Sequence, residues 1–125
     1  GSENDDIIVG NQFSDTVSIW LGNGDGTFEP RDDYSAGNGS RAVAVGLIDE
    51  DLLPDMVVSD WQDDTISLFA GLASPGGTFD YVDSFYVGDG PSRASLADLN
   101  SDGILDAVIA SRNLDSIAVL LGYCE

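Results

Sequence analysis

The chain repeats itself, and the repeat restricts the folds open to it. Thr16-Val17-Ser18-Ile19-Trp20-Leu21-Gly22 matches Thr65-Ile66-Ser67-Leu68-Phe69-Ala70-Gly71, and both match Ser116-Ile117-Ala118-Val119-Leu120-Leu121-Gly122. Residues 6–9 match 55–58 and 106–109, each opened by an aspartate. Residues 26–28 match 77–79, residues 34–39 match 86–90 with one residue slipped, and Ser40-Arg41-Ala42 matches Ser92-Arg93-Ala94. The period is roughly 50 residues, the length of a single supersecondary unit in a repeat architecture.

Every matched segment reads as strand. The segments are short, rich in Val, Ile, Leu and aromatic residues, and bounded by Gly, Asn, Asp or Pro. No helical period of useful length occurs. Within one repeat the expected strands are 42–47, 55–59, 65–71 and 78–87. Four antiparallel strands per repeat of this length make the blade of a β-propeller. A parallel solenoid normally has a shorter repeat, and a β-sandwich needs no long internal repeat.

The expected fold is therefore all-β, with antiparallel four-stranded propeller blades. Residues 1–39 form a partial blade lacking its innermost strand, 40–90 a complete blade, and 91–125 a partial blade lacking its outermost strand. That is about ten strands, or two and a half blades, where closed propellers have four to eight. Such a piece leaves blade faces and strand edges uncovered. Two expectations follow: a fragment of a longer propeller, or pairing with further copies of itself through the exposed blade edges.

Charge narrows the partners. The chain carries 23 acids against four arginines, with no lysine or histidine, for a net charge of −19. Nucleic acid and anionic membrane surfaces are repelled by such a chain, whereas divalent cations relieve its self-repulsion. Without histidine, most hydrolase triads and imidazole general bases are excluded. No apolar run is long enough to span a membrane. The single cysteine, Cys124, allows no internal disulfide.

The acids are not evenly spread. Residues 98–106 read Asp-Leu-Asn-Ser-Asp-Gly-Ile-Leu-Asp. Asp98, Asn100, Asp102 and Asp106, with the carbonyl of Ile104, offer oxygens at alternate positions around a turn at Gly103. This spacing suits Ca²⁺, and crowded carboxylates repel one another unless a cation joins them. An EF-hand would place glutamate twelfth in the loop, but that position is Ile109 and the flanks read as strands. A second copy at 47–55 keeps Asp49, Asp51 and Asp55 with the Leu53 carbonyl. Leu47 replaces its first carboxylate, and Leu52 replaces the turn glycine. The first copy has only residues 2–6 and is expected to bind nothing specific.

Residues 98–109 followed by 116–122 resemble the FG-GAP/VCBS repeat, which builds the propeller head of integrin α-subunits and many extracellular proteins. Residues 21–28 are similar to the same family's turn. The resemblance recurs in register and covers nearly the whole chain. It implies Ca²⁺ held in the loop between the innermost strand and the next. It also implies a non-catalytic module for adhesion, protein interaction or self-assembly at an extracellular or cell-surface location.

The alternative is a lectin-like propeller module binding a glycan, with Trp61 as a stacking platform; the bland reading makes Trp61 a cap. Trp20, in an apolar strand, is expected in the core. Arg41 and Arg93 open equivalent strands and are expected to anchor carboxylates of neighbouring blades, with ligand binding as the other reading.

Overall fold

A computed structural model describes residues 4–73, 78–113 and 115–122. Among these there are ten strands and no helix. The strands are β1 (Ile7–Asn11), β2 (Thr16–Trp20), β3 (Asp32–Ser35), β4 (Ser40–Gly46), β5 (Asp55–Asp60), β6 (Thr65–Leu72), β7 (Thr78–Tyr86), β8 (Pro91–Ala97), β9 (Asp106–Ser111) and β10 (Ser116–Leu120). They form three antiparallel sheets, ordered β1-β2-β3, β4-β5-β6-β7 and β8-β9-β10. The all-β expectation and the antiparallel pairing hold.

The sheets stack face on face around two apolar clusters. Ile8, Val17 and Ile19 of the first sheet pack against Met56, Val58 and Phe69 of the second. The opposite face of the second sheet, carrying Val57, Ile66 and Leu68, packs against Ala107, Ile109 and Leu120 of the third. Alternate side chains of a strand point to opposite faces, so a strand covered on both sides must be apolar throughout. That accounts for β5, where Met-Val-Val leaves all six residues of the strand buried.

The hairpins β1–β2, β5–β6 and β9–β10 turn through Asp15, Asp64 and Asp115, with φ of 57°, 59° and 47°. Aspartate tolerates this left-handed conformation better than most residues. Two of the three also join consecutive sheets. The Asp15 carboxylate accepts the Gly39 N–H at 2.8 Å and its carbonyl accepts that of Ala36 at 3.0 Å. Asp64 does the same with Gly90 at 2.9 Å and Val87 at 3.1 Å.

Two departures from the sequence reading have local causes. The outer strand of the first sheet is four residues long, against nine in β7. Phe28 makes only an isolated bridge to Gly22, and Pro30 follows, without an N–H to continue a ladder. The second concerns the arginines. The ladder places Ala42 opposite Ser59 and Arg93 opposite Ala110, each after a register shift. Val43 and Ala94 face Val58 and Ile109 in the same way. Arg41 is therefore level with Ser92, one position from where the sequence match puts it.

Asp60 ends β5 fully buried, accepting hydroxyl hydrogen bonds from Ser67 (2.6 Å) and Ser40 (3.2 Å). Burial raises its pKa, and the serine hydrogen bonds oppose that only in part. A raised folded-state pKa means the folded chain holds the proton more tightly than the unfolded one. Asp60 thus favours folding most below the ordinary value of 3.8, and less as pH rises through its folded value. Asp60→Asn is expected to flatten the fall in melting temperature between acid and neutral pH in metal-free buffer. An unchanged slope would remove Asp60 from this role.

Candidate metal centre

Both acidic loops sit at the same place in their sheets. Residues 47–54 link β4 to β5, and residues 98–105 link β8 to β9. The last aspartate of each loop opens the following strand and is buried. Asp55 accepts the N–H of Ile48 at 3.2 Å and that of Gly71 at 3.0 Å. Asp106 accepts those of Leu99 and Gly122, both at 2.8 Å. In the first sheet, Asp6 accepts the Gly22 N–H at 2.9 Å. One carboxylate thus ties the start of one strand to the end of its neighbour three times over.

The glycine in each tie is a steric requirement. A Cβ on Gly71 would lie 2.1 Å from the Pro54 carbonyl oxygen, one on Gly22 2.1 Å from that of Asp5, and one on Gly122 2.3 Å from that of Leu105. These distances are far below van der Waals contact. In sequence, Asp55 and Asp106 read as ligands and all three aspartates as repeat markers, without the tie. Its signal was present: the aspartate precedes the glycine by 16 residues in every copy.

The two loops differ in what their remaining acids do. In the second-sheet loop, single carboxylate oxygens of Asp49, Asp51 and Asp55 lie within 4.8 Å of one another. Asp49 accepts the Asp51 N–H at 2.9 Å, and Asp51 accepts the Leu53 N–H at 2.8 Å. These turns aim the acids at one point. Burial raises the pKa of Asp49 and of Asp55, and nearby acid charge adds to the rise in both. A cation at that point would relieve this strain.

In the third-sheet loop, Asp98 spends both carboxylate oxygens on the turn, accepting the N–H groups of Asp102 (3.1 Å) and Gly103 (2.9 Å). Asp102 accepts the Ile104 N–H at 2.9 Å. Asp98, Asp102 and Asp106 do not converge as the other triad does. Asn100 is exposed, and Ile104 is buried. The copy with more oxygen side chains in its sequence is thus the less gathered of the two.

Leu52 occupies the turn position of Gly103 and takes the same left-handed backbone, with φ of 63° against 86°. Its side chain is 78% exposed, so packing does not compensate. The left-handed conformation costs a non-glycine residue about 1–2 kcal/mol, and glycine gives back roughly half of that in unfolded-chain entropy. Leu52→Gly is expected to raise stability by about 0.5–1 kcal/mol in urea unfolding. A loss would show that the turn does not strain Leu52. The loops also touch: the Leu105 N–H donates to the Leu47 carbonyl at 3.0 Å.

Other candidates fall elsewhere. Trp20 is only half-buried and lies outside both apolar clusters, with the Arg31 guanidinium 5.8 Å above its ring. It pairs with Ile7, whose side is turned away from the second sheet, which corrects its expected place in the core. Trp61 is half-buried, and its indole nitrogen would lie 3.1 Å from a Cβ on Gly90. Arg41 and Arg93 form no ion pair with any described residue, among which the one pair joins Arg31 to Asp33 at 3.0 Å. The expectation that they anchor neighbouring carboxylates is overturned. Cys124 and residues 1–3 lie outside the described residues.

Comparison with family models, with curated proteins and with solved structures finds no match.

Proposed function

We propose that this chain is a partial β-propeller of FG-GAP/VCBS type, a calcium-stabilised and non-catalytic module that presents sheet faces to a protein partner outside the cell. The observation that carries the reading is the converging triad Asp49, Asp51 and Asp55 in the loop between the first and second strands of a four-stranded sheet. Three carboxylates, two of them with pKa values raised by burial and mutual charge, suit a hard cation with oxygen ligands. The Leu53 carbonyl adds a neutral ligand of the kind Ca²⁺ accepts. In the equivalent loop, Asp98, Asn100, Asp102, Asp106 and the Ile104 carbonyl would gather on a second ion after Asp98 releases the turn.

The non-catalytic part has its own support. The acids Asp6, Asp55 and Asp106, the last two buried, are occupied as backbone acceptors. No histidine is available to work beside them.

Calorimetric titration with Ca²⁺ tests the reading. The wild type is expected to bind at least one ion per chain. Asp51→Asn, at an exposed position, is expected to remove the tighter site while the chain stays folded. Asp102→Asn is expected to leave that site intact. Absence of heat with the wild type, or tight binding that survives Asp51→Asn, contradicts the assignment.

A further inference from the structure

The stack of sheets has a direction. The face carrying Val57, Ile66 and Leu68 meets, on the next sheet, the face carrying Ala107, Ile109 and Leu120. The same pairing occurs one sheet earlier, where Ile8, Val17 and Ile19 meet Met56, Val58 and Phe69. Strand registers show the equivalence: Val57 pairs with Leu68 as Val108 pairs with Val119, and Met56 pairs with Phe69 as Ile7 pairs with Trp20. One kind of face, the donor, therefore always packs on the other kind, the acceptor.

Both ends of the stack leave one such face bare. On the third sheet the donor face exposes Ile117 (68%), Val119 (44%) and Leu121 (60%). On the first sheet the acceptor face exposes Ile7 (44%) and Val9 (40%) beside Trp20. Each bare face is of the type that the other packs on inside the molecule. Apolar patches of this kind are uncommon on a surface with no partner.

Charge favours the same contact. A net charge of −19 keeps two copies apart at most orientations. Yet three of the four arginines, Arg41, Arg93 and Arg112, line one cavity of about 830 Å³ with Ser95, Val108 and Ala110. Val108 and Ala110 belong to the bare donor face, since they pair with Val119 and Ile117. None of the three arginines forms an ion pair with a described residue. The donor face is thus where an acidic chain can approach and find unpaired guanidinium groups beside an apolar strip.

We infer that the third sheet's donor face is a docking site for a second copy of this chain, whose first-sheet acceptor face packs on it head to tail. The contact is heterologous, using a different patch on each partner. It uses sheet faces rather than strand edges. It rests on the reading of the chain as a stack of repeat sheets that binds protein, and it is independent of the calcium assignment.

Sedimentation equilibrium of the wild type and two variants tests it. Ile117→Asp disables the donor face and Val9→Asp the acceptor face; both positions are exposed, and circular dichroism checks the fold. If either variant unfolds, Leu121→Asp or Ile7→Asp replaces it. The wild type is expected to exceed the 13.1 kDa of one chain as concentration rises. Each variant alone is expected to sediment as a monomer, and an equal mixture of the two as a one-to-one pair. Arg93→Gln with Arg112→Gln is expected to lower the association constant several-fold. A monomeric wild type, a single variant that still associates, or a mixture that stays monomeric overturns the proposal, and an unchanged constant removes the arginines from it. Association without calcium binding would leave this inference standing and sink the metal reading, and the reverse result would do the opposite.

Discussion

Asp55→Ala is expected to destabilise the chain by about 3–5 kcal/mol in denaturant unfolding, the largest effect of any substitution considered. The side chain is buried at the start of β5 in the four-stranded sheet and accepts two backbone N–H groups, from Ile48 and Gly71. Removing it orphans both donors, and each buried unsatisfied N–H costs about 1–3 kcal/mol. One effect works the other way: the carboxylate is itself costly to bury, as its raised pKa records. Losing it returns part of that cost. The donors prevail because both are buried and cannot turn towards water. Asp55→Asn should fall between wild type and alanine, since an amide accepts one N–H and turns its own donor towards the other. A loss below about 1 kcal/mol for the alanine variant would mean that the tie is not structural.

Gly71→Ala is expected to cost about 3 kcal/mol or more through the opposite fault, an added atom. Its Cβ would sit 2.1 Å from the Pro54 carbonyl oxygen and 3.5 Å from the Leu53 Cβ. Relief requires β6 to move away from the start of β5, which breaks the bond from the Gly71 N–H to Asp55. Overpacking of a close-packed interior typically costs 1–3 kcal/mol, and the broken tie adds to it. Gly26→Ala is the control. A Cβ there meets nothing within 4 Å, so its cost comes only from a φ of 90°. If both variants unfold at the same denaturant concentration, contact with the Pro54 carbonyl is not what requires glycine.

Much of the fold was legible because the chemistry of a buried strand is local. Runs such as Met56-Val57-Val58 and Ile66-Ser67-Leu68-Phe69 announce strands with both faces covered, and Gly, Asp and Pro mark their ends. The three-sheet order follows from the repeat. The weighting of the two loops did not follow from sequence. Counting oxygen side chains favoured 98–106, but the side chain of Asp98 is turned to the backbone of its own loop, while Asp49, Asp51 and Asp55 converge. Side-chain direction there is decided by which N–H groups a left-handed turn leaves free, and Leu52 makes that turn without glycine. The arginine match slipped because the two Ser-Arg-Ala triplets are alike in sequence alone: both sheets carry the same bulge, and the ladders set Ala42, not Arg41, level with Arg93.

Thermal unfolding at neutral pH, with saturating Ca²⁺ and then with excess chelator, tests the central claim most directly. Binding to the folded state alone stabilises by about 2.7 kcal/mol at 100-fold excess over Kd. For a domain of this size that corresponds to roughly 10 °C. The account predicts a rise of that order for the wild type, a much smaller one for Asp51→Asn, and shrinkage of the wild-type rise in acid. Identical melting temperatures with calcium and with chelator would contradict it.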